Sequence, residues 1–342
     1  MPTQKDVASV AGVDQSTVSL ALRGDPRISP ETRRRVLEAA KKLGYKPFLN
    51  ADAKRMIARR HGRPVRTNII AFVRSSRKAL LEDAWGWHLL FLAGIESEAY
   101  RSDMQLLLVS AEGKVLPPNL RRGEIDGVIF YEEATGRKLA GLDLPKVGIV
   151  NPLSPWCVKA DDFKAGYSAA EHLIGLGHER IAYVSPKVAD RNCLAYIRME
   201  GFRAALSEAG LLREELIVLE GSSTDPSAGE EAYYLLKARG ELPTAVVAYN
   251  DTMAIGVLWA AVKDGLEVPG DLSIVGMDDL KVASSISPSL TTVRMPLEEI
   301  GREAVRMILA QWEDPLREPE CRILPVRLVV RESTGPPKGA RR

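Results

Sequence analysis

Of 342 residues only three are cysteine (Cys157, Cys193, Cys321) and four histidine (His61, His88, His172, His178). Their spacing builds neither a disulfide framework nor a metal-ligand set, which excludes stapled mini-domains and zinc modules; reduced, unpaired thiols are expected. No apolar run reaches the length of about eighteen residues that a membrane-spanning helix needs. The amino end, with Lys5 and Asp6, carries no apolar signal-peptide core, so a cytoplasmic protein is expected. Catalytic signatures are scarce too. Ser75-Ser76-Arg77-Lys78 fits an S-x-x-K string without its partner motifs. Gly175-Leu176-Gly177 lacks the third glycine of a dinucleotide loop and reads as a helix end. Neither an enzyme activity nor a cofactor is expected.

Net charge is nearly absent, +2 overall, but it is unevenly spread. Residues 1–60 hold thirteen Lys and Arg against six Asp and Glu, so this stretch nets +7 and the remainder −5. A basic head on an acidic body is the footprint of phosphate contact by the head alone. Its local pattern agrees. A first helix is expected over Gln4 to Ala11, with Thr3 as N-cap and Asp6 closing a capping-box-like pair. Gly12 frees the backbone for a sharp turn, and Asp14 caps a second helix from Gln15. Val7, Ala11, Val13, Val18 and Ala21 fall inward; Gln15, Ser16 and Ser19 stay outside. That is a helix-turn-helix, whose second helix enters the DNA major groove. Ser29 caps a third helix with Pro30 at its first position, a stripe of Val36, Leu37, Ala40 and Leu43, and Gly44 as its stop.

Residues 50–67 are polar and basic and read as a linker with a short helical start. From Asn68 the pattern changes. Short apolar runs of buried-strand length stand at 69–73, 106–109, 127–130, 147–150, 181–184, 216–219, 245–248 and 273–276. Amphipathic segments at 89–100, 165–176, 198–209, 228–238 and 253–264 lie between them. Strands alternating with helices mean parallel sheets covered on both faces. The fold class is α/β: an all-α head (1–49), then a two-lobed body (68–335) and a short tail (336–342). Ligands of such sheets bind beyond the strands' carboxyl ends, so one ligand fits between two lobes.

Lys5-Asp6-Val7-Ala8, Ala11-Gly12-Val13, Thr17-Val18-Ser19, Ser29-Pro30-Glu31-Thr32-Arg33 and Leu43-Gly44-Tyr45-Lys46-Pro47 resemble the head of the LacI-type (lactose/purine repressor) family of transcriptional regulators. The resemblance continues through His172 to Ala182, Arg198 to Leu206, Asn250 to Gly256, Val268 to Asp279, Leu290 to Arg294 and Leu328 to Ser333. It implies a periplasmic-binding-protein-like body whose chain crosses between lobes near Asp161, Pro288 and Arg322. Lobe 1 then holds about 68–160 and 289–321, and lobe 2 about 161–288 and 322–335. It also implies operator contacts from Gln15, Ser16, Thr17, Ser19 and Leu20 and from Tyr45, Lys54, Arg55 and Met56. Gln pairs bidentately with adenine, while Leu touches a thymine methyl or packs on the third helix. Thr17 and Ser19 serve the cap or phosphates rather than bases. Family members often carry Arg where Leu20 stands. In the linker, Phe48 and Lys54 break the family pattern; displaced by two residues, Met56 wedges the minor groove or, with Ile57, packs between two linkers.

For the body, the resemblance implies effector contacts from Asn151, Arg198, Asn250 and Asp278, a set of donors and acceptors suited to a sugar or related hydroxylated metabolite. Asp279 reads as a turn or cap residue. The region of Trp85 to His88 departs from the family, and 221–224 lacks its frequent stacking aromatic. Trp85 or Trp87 supplies that face instead, or packs in the core. The expected function is sequence-specific DNA binding by a homodimeric transcriptional regulator, a repressor, on a pseudo-palindromic operator and under small-molecule control. The alternative is a solute-binding receptor with the same body fold, which has no use for a basic helix-turn-helix.

Overall fold

The computed structural model describes residues 4–22, 27–43, 67–74, 86–112, 116–117, 120, 124–131, 133–142, 144–150, 154–188, 191, 193–219, 223–240, 242–314 and 316–338. Thr3, Gly44, Tyr45, Lys54, Arg55, Met56, Trp85 and Asn151 lie outside the described residues. The chain divides into two compact units, Met1–Val65 and Arg66–Arg342.

The first unit packs three helices, α1 (Gln4–Ala11), α2 (Gln15–Leu22) and α3 (Pro30–Lys42), around Val7, Ala11, Val18, Ala21, Val36 and Ala40. Gly12 takes φ +63°, the left-handed backbone that the sharp turn demands. The Ser29 hydroxyl accepts from the Thr32 N–H at 3.2 Å, so the expected cap forms. Leu37, expected in the inward stripe, is exposed: α3 buries Val36, Ala39 and Ala40 instead.

In the second unit, β1 (Ile69–Arg74), β2 (Gln105–Ser110), β3 (Gly127–Phe130), β4 (Lys146–Ile149), β5 (Cys157–Ala160) and β11 (Cys321–Leu324) form one sheet, in the order β11-β5-β4-β3-β1-β2. The other sheet joins β6 (Ile181–Ser185), β7 (Ile217–Leu219), β8 (Ala245–Ala248), β9 (Ser273–Asp278), β10 (Thr291–Arg294) and β12 (Arg327–Val329), in the order β12-β10-β9-β8-β6-β7. All pairings are parallel except β10 with β12. Side chains alternate between faces with the strand period of two. Ile70 and Phe72 of β1 join one apolar cluster, Ala71 and Val73 another. Ile181 and Tyr183 of β6 face one way, Ala182 and Val184 the other. Helices cover those faces: α4 (Trp87–Arg101), α5 (Glu133–Leu139) and α10 (Leu297–Glu313) by the first sheet, and α6 (Asp162–Gly175), α7 (Leu194–Glu208), α8 (Pro226–Ala238) and α9 (Asp251–Lys263) by the second.

Two of the three lobe crossings fall elsewhere than expected. The first, at Asp161, separates β5 from α6. The second lies between Arg294 and Leu297 rather than near Pro288, because β10 pairs with β9 in the second sheet. The Ser287-Pro288 turn signal only returns the chain for that strand. The third lies between Leu324 and Arg327 rather than at Arg322, because β11 pairs with β5. That pairing also overturns the expectation of unpaired thiols. Cys157 and Cys321 are register partners, their Cα atoms are 4.4 Å apart, and a disulfide joins them. They are 164 residues apart in sequence, so no spacing rule pairs them. Cys193 is free.

Candidate functional site

The first candidate surface is the edge of α2. Val18 and Ala21 are fully buried, which rotates Gln15 and Ser16 at the amino end of the helix into solvent. Thr17, Ser19 and Leu20 are half-buried on its flanks. An amide and a hydroxyl at a helix amino end are what a major-groove reader presents first. One head cation serves the fold instead: Arg35 donates to the carbonyls of Ala11 and Gly12 and pins α3 to the turn.

The second candidate site is where the strands of the two sheets end. Each sheet has a switch point, β1 beside β3 and β6 beside β8, the usual place for a ligand. At the second sheet, α6 and α7 cross closely. A Cβ on Gly166 would stand 1.8 Å from the Arg198 carbonyl oxygen, and one on Gly201 would stand 1.9 Å from that of Phe163. Only two glycines permit this approach, and it brings Arg198 onto Asp162. Arg198 Nε donates to Asp162 Oδ1 at 2.9 Å, Nη1 donates to the Tyr249 carbonyl at 2.8 Å, and both Nη atoms lie 3.5 Å from Asp278 Oδ1. The guanidinium also sits over the Tyr249 ring, 4.8 Å from its centre. Arg198, Asp162 and Asp278 are each at least 95% buried.

One buried guanidinium therefore faces two buried carboxylates. Burial pushes Asp278 up to about 7; Arg198 pulls it down, and the Asp162 charge pushes it further up. Asp162 is raised for the same first reason. Arg198 is held above its ordinary value, because the two carboxylates outweigh its own desolvation. The cluster is a ready set of charged partners for hydroxyl or amide groups.

The first lobe reaches this cluster through Trp87, the first residue of α4, whose side chain interacts with the Asp278 carboxylate and favours its charged form. Trp87 belongs to an aromatic group with Phe91 at 4.7 Å, His88 at 5.0 Å and Tyr131 at 6.4 Å between ring centres. Tyr131 follows β3 and stacks on Phe72. The carboxyl ends of both sheets thus meet across one cleft.

Arg198 and Asp278 are brought together. Asn250 stands differently: it is the N-cap of α9, its Oδ1 accepting from the Met253 N–H at 2.9 Å and its Nδ2 donating to the Thr224 carbonyl at 3.1 Å. Asp279, at φ +57°, clamps Arg294 and Arg331 at 2.5 Å each and is structural, as expected. Sequence reasoning missed Asp162, Trp87's reach to Asp278, and Asp251. Asp251 is fully buried, where it accepts from Thr292 Oγ1 and the Leu280 N–H and ties α9 to β10 and the segment after β9. The Asp161-Asp162 pair was a visible signal, but nothing local says that the first caps α6 while the second turns inward.

Residues 3–47 match the model of bacterial regulatory proteins of the lacI family, and residues 170–334 that of a periplasmic binding protein-like domain. The HTH-type transcriptional regulator DegA of Bacillus subtilis is 33% identical over 97% of both chains. The HTH-type transcriptional regulator GalR of Escherichia coli is 31% identical over 93% of this chain and 92% of its own. Among solved structures, the lac repressor dimer bound to operator and the anti-inducer ONPF superposes with a TM-score of 0.76, at 25% identity, over 98% of this chain and 99% of that one. The complex of the regulator CelR with cellobiose gives 0.67 at 28% identity over 97% and 100%. No helix among the described residues is long and apolar enough to cross a membrane.

Proposed function

Because the chain belongs to the LacI family of bacterial regulatory proteins, we propose that it represses transcription by holding a pseudo-palindromic operator as a homodimer, and that a hydroxylated metabolite in the body cleft controls that grip. It is a sequence-specific DNA-binding transcriptional regulator under effector control. One observation carries the reading: a folded helix-turn-helix unit with Gln15 and Ser16 exposed shares its chain with a cleft where Arg198 and Asp278 converge. Gln15, Ser16 and Leu20 read base edges, while Thr17 and Ser19 meet the cap or phosphates. Tyr45, Lys54, Arg55 and Met56 follow the duplex from the linker. Arg198 and Asp278 hold effector hydroxyls from the second lobe, and Asn151 and the remaining amide proton of Asn250 add further polar contacts. The protein acts in the cytoplasm, where its operator is, and no enzymatic step is assigned to it.

An effector whose hydroxyls donate to the Asp278 carboxylate competes with the Trp87 side chain beside it. Binding thereby changes the contact between lobes, which is the differential interaction a two-state regulator requires. The test is selection of duplexes from a randomised library by the purified full chain. A recovered pseudo-palindrome, with affinity falling steeply as salt rises, is the expected result. Recovery of no common sequence would sink the regulator reading.

A further inference from the structure

Arg198, Arg294 and Arg331 each have a carboxylate partner near the carboxyl ends of the second lobe's strands. Among the described residues Arg74, at the carboxyl end of β1 in the first lobe, has none. Its Nε and Nη1 are buried, and among the described residues neither has a hydrogen-bond partner. Its position follows from register. Arg74 lies on the β1 face that carries Ile70 and Phe72, one alternation beyond Phe72. Phe72 stacks on Tyr131, Tyr131 meets His88 at 5.1 Å and Trp87 at 6.4 Å, and Trp87 reaches Asp278. The strand end that carries Arg74 therefore belongs to the cleft wall, beside the β1–β3 switch point.

Two buried guanidinium nitrogens without an acceptor among the described residues are costly, and an oxyanion is a group that satisfies such donors. From this we infer that the effector carries a carboxylate or phosphate, bound by Arg74 in the first lobe, while its hydroxyls meet Arg198 and Asp278 in the second. The inference rests on the cleft being the effector site. It assigns the two lobes different tasks, charge recognition to the first and hydroxyl recognition to the second. The rings of Trp87 and Tyr131 supply apolar surface between them.

The experiment uses the full chain and calorimetric titration with three probes: glucose, glucuronate, and glucose phosphorylated on its terminal hydroxyl. Wild type should bind one of the two anionic probes about tenfold to a hundredfold more tightly than glucose, and which one it prefers distinguishes carboxylate from phosphate. Arg74→Gln should erase that preference and leave the glucose titration unchanged. A second measurement needs no ligand. Arg74→Met should leave the melting temperature of the free protein unchanged or higher, since no partner is lost; a clear fall would make Arg74 structural and overturn the inference. Equal binding of glucose and both anions would overturn it too, while leaving the cleft as the effector site. Arg74-dependent binding that leaves operator affinity unchanged would instead sink the regulatory reading and keep Arg74 as the anion contact.

Discussion

At the scale of single residues, burial decides what each polar group offers. Gln15 is exposed at the head of α2, and Gln15→Ala should cost about 1–3 kcal/mol in operator binding and relax preference at one base pair per half-site. Competition binding against single-base operator variants reads this, and an unaltered preference would reassign the reading helix. Arg198 is different, because its loss strands two buried carboxylates. Arg198→Ala should lower stability by about 3–5 kcal/mol in urea unfolding. A loss under about 1 kcal/mol would show that water reaches the cluster. Asp278 gives a sharper test. Its folded value of about 7 lies above the ordinary 3.8, so the folded state holds the proton more tightly. Its contribution to stability is full below 3.8 and is lost as pH rises through about 7. Asp251 is raised as well and acts in the same direction. Asp278→Asn should therefore weaken, not abolish, the fall in stability across that window. An identical fall in the variant would mean that Asp278 titrates as an ordinary carboxylate.

At the scale of elements, the helices start earlier than their apolar stripes suggest. The stripe at 165–176 belongs to α6, which begins at Asp162, and that at 228–238 to α8, which begins at Pro226. The caps Asp161, Asp225 and Asn250 lie ahead of those stripes and set the true starts. Asn250 therefore serves first as the N-cap of α9, with one amide proton left for a ligand. Strands β5, β10, β11 and β12 carry no continuous apolar run, since Lys159, Arg294, Arg322 and Arg327 interrupt or end them. Their pairing comes from neighbours far along the chain. The α6–α7 crossing is the element that builds the site. Gly201→Ala would set a methyl against the Phe163 carbonyl and separate the helices. A cost of about 1–3 kcal/mol or more is expected, with weakened effector binding, since Arg198 moves with α7. Wild-type stability and effector affinity in this variant would show that the crossing has slack.

At the scale of the whole molecule, the two tasks fall on two compact units with opposite charge. The basic unit governs salt dependence. Lys42→Ala should weaken binding to all duplexes alike and reduce the slope of log affinity against log salt by about one, leaving effector titrations of the body untouched. A variant that changed effector affinity while keeping the slope would mean that Lys42 meets no phosphate.

The head's helices and most of their inward residues, the eight most apolar strands and the two-lobed α/β body were legible in the sequence alone. Each is written in local periodicity and caps, which depend on neighbours within a few residues. Arg198 and Asp278 came from the family resemblance of the sequence around them. Only the tertiary structure decided that Asp162 joins them, that Trp87 crosses to Asp278, that Cys157 meets Cys321, and that β10 stays with the second sheet while β11 returns to the first. Every one of these joins residues dozens to hundreds of positions apart. Sheet register and helix crossing determine such meetings, and no short-range pattern encodes them.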